Sequence, residues 1–119
     1  MQVTNITVAL PVSDLDRSIA WYQRALELGD PDVAPDEGIV EFDLGVFWLQ
    51  LVGATEIADG GTRPAPNLTV ADAGAEHRRL TGLGLDVGAL GRIEGVVEFF
   101  EVTDPDGNTI GIVTELAGQ

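Results

Sequence analysis

One run of elements appears twice in this chain. Each half reads as a strand, a helix and then two or three strands. The halves align, with Ile39–Leu44 matching Val97–Val102 and Val46–Val52 matching Thr109–Glu115. A repeat of about half the chain implies a duplicated unit that cannot bury its apolar face alone. The expected fold class is therefore α+β: two βαβββ modules whose curled antiparallel sheets surround a cup, with the helices outside. Module 1 spans 1–53, a linker 54–66 and module 2 67–119, within a single domain of 119 residues. That length suffices to bury one core.

Local signals place the elements. Residues 3–10 alternate and are β-branched, which predicts a strand ended by Pro11. Ser13 suits a helix N-cap, and Leu15, Ile19, Tyr22 and Leu26 form one apolar stripe of a helix over 14–28. Trp21, Ala25 and Leu28 widen that stripe, and Gly29 fits the position after the helix. Residues 30–37 are acidic with two prolines and predict a loop or a ragged edge strand. Gly45 joins the next two strands tightly. In the second half Asp72 caps a helix over 73–83, residues 85–90 and 96–102 predict strands, and Asp104-Pro105-Asp106-Gly107-Asn108 predicts a turn before the last strand.

Charge narrows the function. The chain holds 6 Lys+Arg, all of them arginine, against 20 Asp+Glu, a formal net charge of −14. Nucleic acid and anionic membrane surfaces are excluded as partners, because phosphate binding needs cations. No apolar run is long enough to span a bilayer. There are no cysteines, which removes disulfides, thiol nucleophiles and thiolate metal sites. The first residues lack a basic segment followed by an apolar one, so the expected location is cytoplasmic. The acids are not evenly spread. Nine acids and no base lie between Arg24 and Arg63, and six acids and no base follow Arg92. Those two blocks are the ones that carry most of the expected sheet strands. Their charge predicts a cationic ligand, whether the acids line the cup or only its rim.

Two segments carry a resemblance. Leu10-Pro11-Val12-Ser13-Asp14-Leu15-Asp16-Arg17-Ser18-Ile19-Ala20-Trp21-Tyr22 is similar to the strand-to-helix phrase of the vicinal oxygen chelate superfamily, also called the glyoxalase/bleomycin-resistance/dioxygenase fold. Asp104–Asn108 is similar to the hairpin before that family's last strand. Together, on a duplicated βαβββ plan, they cover nearly the whole chain. The resemblance implies a homodimer, with Trp21 and residues 54–66 as the features expected to meet the partner. In the family's enzymes, four strands each supply one ligand to a divalent metal, typically His, Glu or His, His, and Glu. Carried over, those positions fall at Thr7, Gln50, Asn67 and Gly111. None matches: Gln50 could ligate weakly through its carbonyl, but Thr, Asn and Gly offer nothing that holds zinc, nickel, iron or manganese. The expectation is no metal, no cofactor and no metal-dependent glyoxalase or dioxygenase chemistry. His77 is the only histidine. It reads first as a packing residue on the helical stripe and second as a ligand contact. Gly82-Leu83-Gly84 follows a helix where a phosphate loop would open one.

Strand alternation then assigns faces. With Gln50 inward, Trp48 is inward and Leu49 and Leu51 belong to the core. Asn5, Thr7 and Ala9 oppose Ile6, Val8 and Leu10. Glu41 and Asp43 flank core Phe42, and Phe99 and Glu101 flank core Phe100. The expected ligand-binding set is Trp48, Phe99, Glu41, Asp43, Glu101, Gln50, Thr7 and Asn67. Aromatic faces beside carboxylates suit a cationic or amine-bearing aromatic compound, such as an antibiotic, held by stacking and charge. Bleomycin-resistance proteins of the resembled superfamily sequester their drug in this way. Two alternatives stand: the acids sit at solvated strand ends, or one cup carboxylate acts as general acid or base in a metal-free lyase, isomerase or cyclase.

Overall fold

A computed structural model describes residues 1–54 and 63–116. It divides the chain into two compact units, Met1–Pro64 and Ala65–Gln119. Most of the expected linker 54–66 lies outside the described residues.

In the first unit, β1 (Thr7–Val12), α1 (Leu15–Leu26), β2 (Val33–Asp36), β3 (Ile39–Asp43) and β4 (Trp48–Gly53) follow in order. The sheet order is β1-β4-β3-β2. The β3–β4 and β2–β3 pairs are antiparallel, whereas β1 runs parallel to β4 because α1 and two strands intervene. Leu10, Val12, Val40, Phe42, Leu49 and Leu51 are buried on one face of this sheet. α1 packs against β4. Its buried residues are Ser18, Trp21, Tyr22 and Ala25, while Leu15, Ile19 and Leu26 are half-buried. The buried stripe is thus rotated from the expected one, and the rings of Trp21 and Tyr22 meet edge to face at 4.7 Å. Trp21 is 8% exposed. It is spent on this core, so the expectation that it meets a partner is corrected.

Three boundaries differ for physical reasons. Pro11 lies inside β1 and does not end it. The carbonyls of Ile6 and Val12 accept from Trp48 and Ala54, so the even residues turn their backbone to β4. Pro11 therefore turns its missing N–H outward from an edge strand, where it costs no ladder bond. Ile6 precedes the strand and is 58% exposed, not core. Asp14 is the helix cap in place of Ser13, its carboxylate accepting from Arg17 N at 3.1 Å. The helix ends at Glu27, whose φ of 57° puts a non-glycine residue in the left-handed region, two positions before Gly29.

In the second unit, β5 (Asn67–Thr69), α2 (Ala73–Gly82), β6 (Asp86–Val87), β7 (Gly91–Ile93), β8 (Val97–Thr103) and β9 (Thr109–Glu115) repeat the plan. The order is β5-β9-β8-β6, with β7 also pairing β8. β5 runs parallel to β9, and the others are antiparallel. The expected strand over 85–90 shortens to β6, ending before Gly88, whose N–H donates to the Glu101 carbonyl at 2.8 Å; β7, over Gly91–Ile93, is not expected from the sequence. Phe100, Val102, Ile110, Ile112, Ala73 and Leu80 form the buried layer. Asp72 caps α2 through Ala75 N at 3.0 Å. The 104–108 turn closes on Asp104, which is 4% exposed. Its carboxylate accepts from the N–H groups of Asp106 and Asn108 at 2.9 and 2.8 Å and from Asn108 Nδ2 at 2.8 Å. This turn fixes the β8–β9 register.

Candidate ligand-binding site

Register decides which side chains share a face. In the first sheet, Thr7, Trp48 and Asp43 form one cross-strand row, and Ala9, Gln50 and Glu41 form the next. Both rows lie on the face opposite Leu10, Leu49 and Phe42. The structure therefore brings Trp48, Glu41, Asp43, Gln50 and Thr7 together, as alternation predicts. Gln50 Nε2 donates to Glu41 Oε2 at 2.7 Å, a contact that sequence reasoning missed. The bond fixes the amide and leaves the Gln50 carbonyl and the second Glu41 oxygen as acceptors. Asp43 is partly committed to the β3–β4 turn, where Oδ1 accepts from Gly45 N at 2.8 Å. Gly45 carries a φ of 86°, which the turn requires and which disfavours other residues. Trp48 and Glu41 are half-buried, and Thr7 and Asp43 are exposed.

In the second sheet, Asn67, Gly111 and Glu101 form one row, and Thr69, Val113, Phe99 and Gly91 the next. Phe99, Glu101 and Asn67 thus share the face opposite Phe100 and Ile112. Phe99 is 39% exposed, and its ring lies over Gly91. A Cβ on Gly91 would come within 2.7 Å of the ring's Cζ. Gly111 plays the same part for Asn67, whose Oδ1 occupies the space a Cβ would take. Sequence reasoning missed both seats, although a glycine inside a strand is the available signal for a close approach. His77 is not in this group. It lies edge to face with Phe100 at 5.0 Å, and its Nε2–H donates to the Gly88 carbonyl at 2.9 Å. It ties α2 to the strand side of the core.

The sequence matches the family model of the glyoxalase/bleomycin resistance protein/dioxygenase superfamily over residues 6–112. The chain belongs to that superfamily. No curated protein matches it. Solved structures share the superfamily fold. A glyoxalase/bleomycin resistance protein from Catenulispora acidiphila is 24% identical at a TM-score of 0.75, with 94% of this chain and 98% of that one covered. A bleomycin resistance determinant encoded on the transposon Tn5 is 19% identical at 0.76, covering 95% and 98%. The fosfomycin resistance protein FosX from Listeria monocytogenes is 15% identical at 0.76, covering 96% and 93%.

The metal positions implied by the superfamily do not fit a metal here. Thr7 and Gln50 offer a hydroxyl and an amide, and Gly111 offers nothing. The repeat also moves the third position. Thr7 stands seven residues before the cap Asp14, and the residue seven before the cap Asp72 is Ala65. Asn67 corresponds to Ala9, since each stands five residues before its helix cap; their partners Gly111 and Gln50 are then equivalent, which corrects by two residues the sequence alignment of Ile39–Leu44 with Val97–Val102 and of Val46–Val52 with Thr109–Glu115. Ala65 has no donor atom at all. Among the described residues no group of three His, Cys, Asp or Glu gathers elsewhere. Among the described residues no helix is long and apolar enough to cross a membrane.

Proposed function

We propose that this superfamily member is a metal-independent binding protein that sequesters a cationic or amine-bearing aromatic small molecule, such as an antibiotic, and leaves it chemically unchanged. One observation carries the reading. On both sheets the face opposite the core pairs an aromatic ring with carboxylates that have acceptor capacity left over: Trp48 with Glu41 and Asp43, and Phe99 with Glu101. A ring offers stacking area and attracts cations at its face, and a carboxylate selects positive charge. Gln50, Thr7 and Asn67 add hydrogen-bonding groups to the same faces. The likeness in fold to a bleomycin resistance determinant supports an antibiotic as the kind of ligand, and the aromatic rings and acid-rich strand blocks support its aromatic character and positive sign. The reading includes a homodimer working in the cytoplasm.

The test uses metal-stripped protein titrated with paired planar aromatics, one cationic and one neutral on the same ring system. Trp48 fluorescence should be quenched by the cationic member, and the response should vanish in Trp48→Ala while the buried Trp21 signal remains. A requirement for added metal, or equal binding of the neutral partners, would overturn the reading.

A further inference from the structure

Glu101 differs from the other two carboxylates of the candidate site, Glu41 and Asp43. Its cross-strand neighbours on both sides are glycines, Gly111 on β9 and Gly88 on the other flank. Side chains opposite one another in a sheet normally pair or shield each other. Here the carboxylate rises between two residues with no side chain, is exposed, and has no partner among the described residues. Gly88 has a local reason to be glycine, since a Cβ would meet the Glu101 carbonyl at 3.3 Å. Gly111 has another, since the Asn67 amide lies in its Cβ space. The two sides differ for Glu101: the exposed Gly88 leaves room for a ligand group, whereas on the Gly111 side the Asn67 amide fills the space and forms the border of that room. Asp43 and Glu41 lack this freedom, because a turn N–H and Gln50 already engage them.

Two positions along β8 stands Phe99, on the same face, its ring laid against Gly91. Two strand residues span about 7 Å. Resting on the binding function proposed above, we infer that the second unit recognises an arylalkylamine: a planar ring on Phe99 and a protonated amine on Glu101, separated by about 7 Å. The Asn67 amide supplies a hydrogen bond to the same amine or to a polar group beside it. That spacing corresponds to roughly three or four methylene groups between ring and nitrogen. An amine joined by a single carbon would not reach both groups. A permanently charged ring without a side chain would stack yet leave Glu101 unpaired.

The test is a series of naphthylalkylamines with one to five methylenes, each matched to the naphthyl alcohol of equal length, followed by naphthalene fluorescence. Wild-type protein should bind the three- and four-carbon amines best. Glu101→Gln should weaken those amines about tenfold or more, the scale of a hydrogen bond to a charged group, and leave the alcohols unchanged. Phe99→Leu should weaken amines and alcohols together. Thermal unfolding of Glu101→Gln should match wild type, because the side chain is exposed. Equal losses for amine and alcohol in Glu101→Gln, or tightest binding at one methylene, would overturn the inference. Amine binding that survives Glu101→Gln but is lost in Trp48→Ala and Glu41→Gln would overturn it while leaving the binding function standing. If no naphthylalkylamine binds, the inference falls, and the wider ligand panel above judges the binding function separately.

Discussion

The Asp104 turn sets which residues of β8 and β9 face the same way, so removing its anchor is the sharpest perturbation of this fold. In Asp104→Ala the N–H and side-chain amide of Asn108 lose their acceptor. Asn108 is 0% exposed, so water does not readily replace it, whereas Asp106 N is half-exposed and can be hydrated. A buried donor left unsatisfied costs about 1–3 kcal/mol. With two such donors, partly relieved by relaxation of the turn, the loss should be about 2–4 kcal/mol. A chain of 119 residues unfolds with an entropy of about 0.25 kcal/mol/K, so each kcal/mol lowers Tm by about 4 °C. The expected drop is therefore about 8–16 °C. Asp104→Asn should fall between, because it keeps an acceptor oxygen but sets one amide donor against another. Urea unfolding followed by circular dichroism measures the free energy directly. A loss under about 0.5 kcal/mol for Asp104→Ala would refute the claim that this carboxylate holds the register.

Other consequences are equally accessible. Glu27→Gly should stabilise the protein by about 0.5–1 kcal/mol in urea unfolding, since it relieves a left-handed φ of 57° at the end of α1. Phe42→Ala should cost about 3–5 kcal/mol by the same measurement, because the side chain is 1% exposed in the first sheet's core. Gly91→Ala should lift the Phe99 ring from its seat and weaken aromatic ligand binding. A Phe99→Leu background should remove most of that effect, which a double-mutant cycle on ligand affinity reads. Raising salt should slow association of a cationic ligand more than it speeds dissociation, given a net charge of −14, and stopped-flow fluorescence separates the two.

Much of the fold was legible because period-two alternation is a strong signal wherever one sheet face is buried. Phe42, Leu49, Leu51, Phe100, Ile110 and Ile112 are core as alternation predicts, and the polar residues between them take the other face. The errors lie where competing local signals are nearly equal. Ser13 and Asp14 are both good caps, and only the chain's entry angle selects Asp14. Pro11 reads as a breaker until the strand is known to be an edge with that residue turned outward. The α1 spacing points to a stripe of Leu15, Ile19, Tyr22 and Leu26, of which Tyr22 alone is buried; small Ser18 is buried beside it, with Trp21 and Ala25. For the site, alternation brought the named residues onto shared faces. It did not reveal that Gln50 binds Glu41, that glycines seat Phe99 and Asn67, or that Asn67 corresponds to Ala9 and not to Thr7. Those relations depend on register and side-chain placement between paired strands, neighbouring in sequence for Gln50 with Glu41 and Phe99 with Gly91 and distant for Asn67 with Gly111, which a single strand's pattern does not contain.

The central claim is binding of a cationic aromatic without metal and without turnover. Calorimetric titration of EDTA-treated protein with the best cationic aromatic ligand tests it most directly, provided the ligand is recovered afterwards and analysed by mass. Binding should be saturable and not strengthened by added metal, and the ligand should be recovered with its mass unchanged. Dependence on a divalent metal, or recovery of a chemically altered ligand, would contradict it.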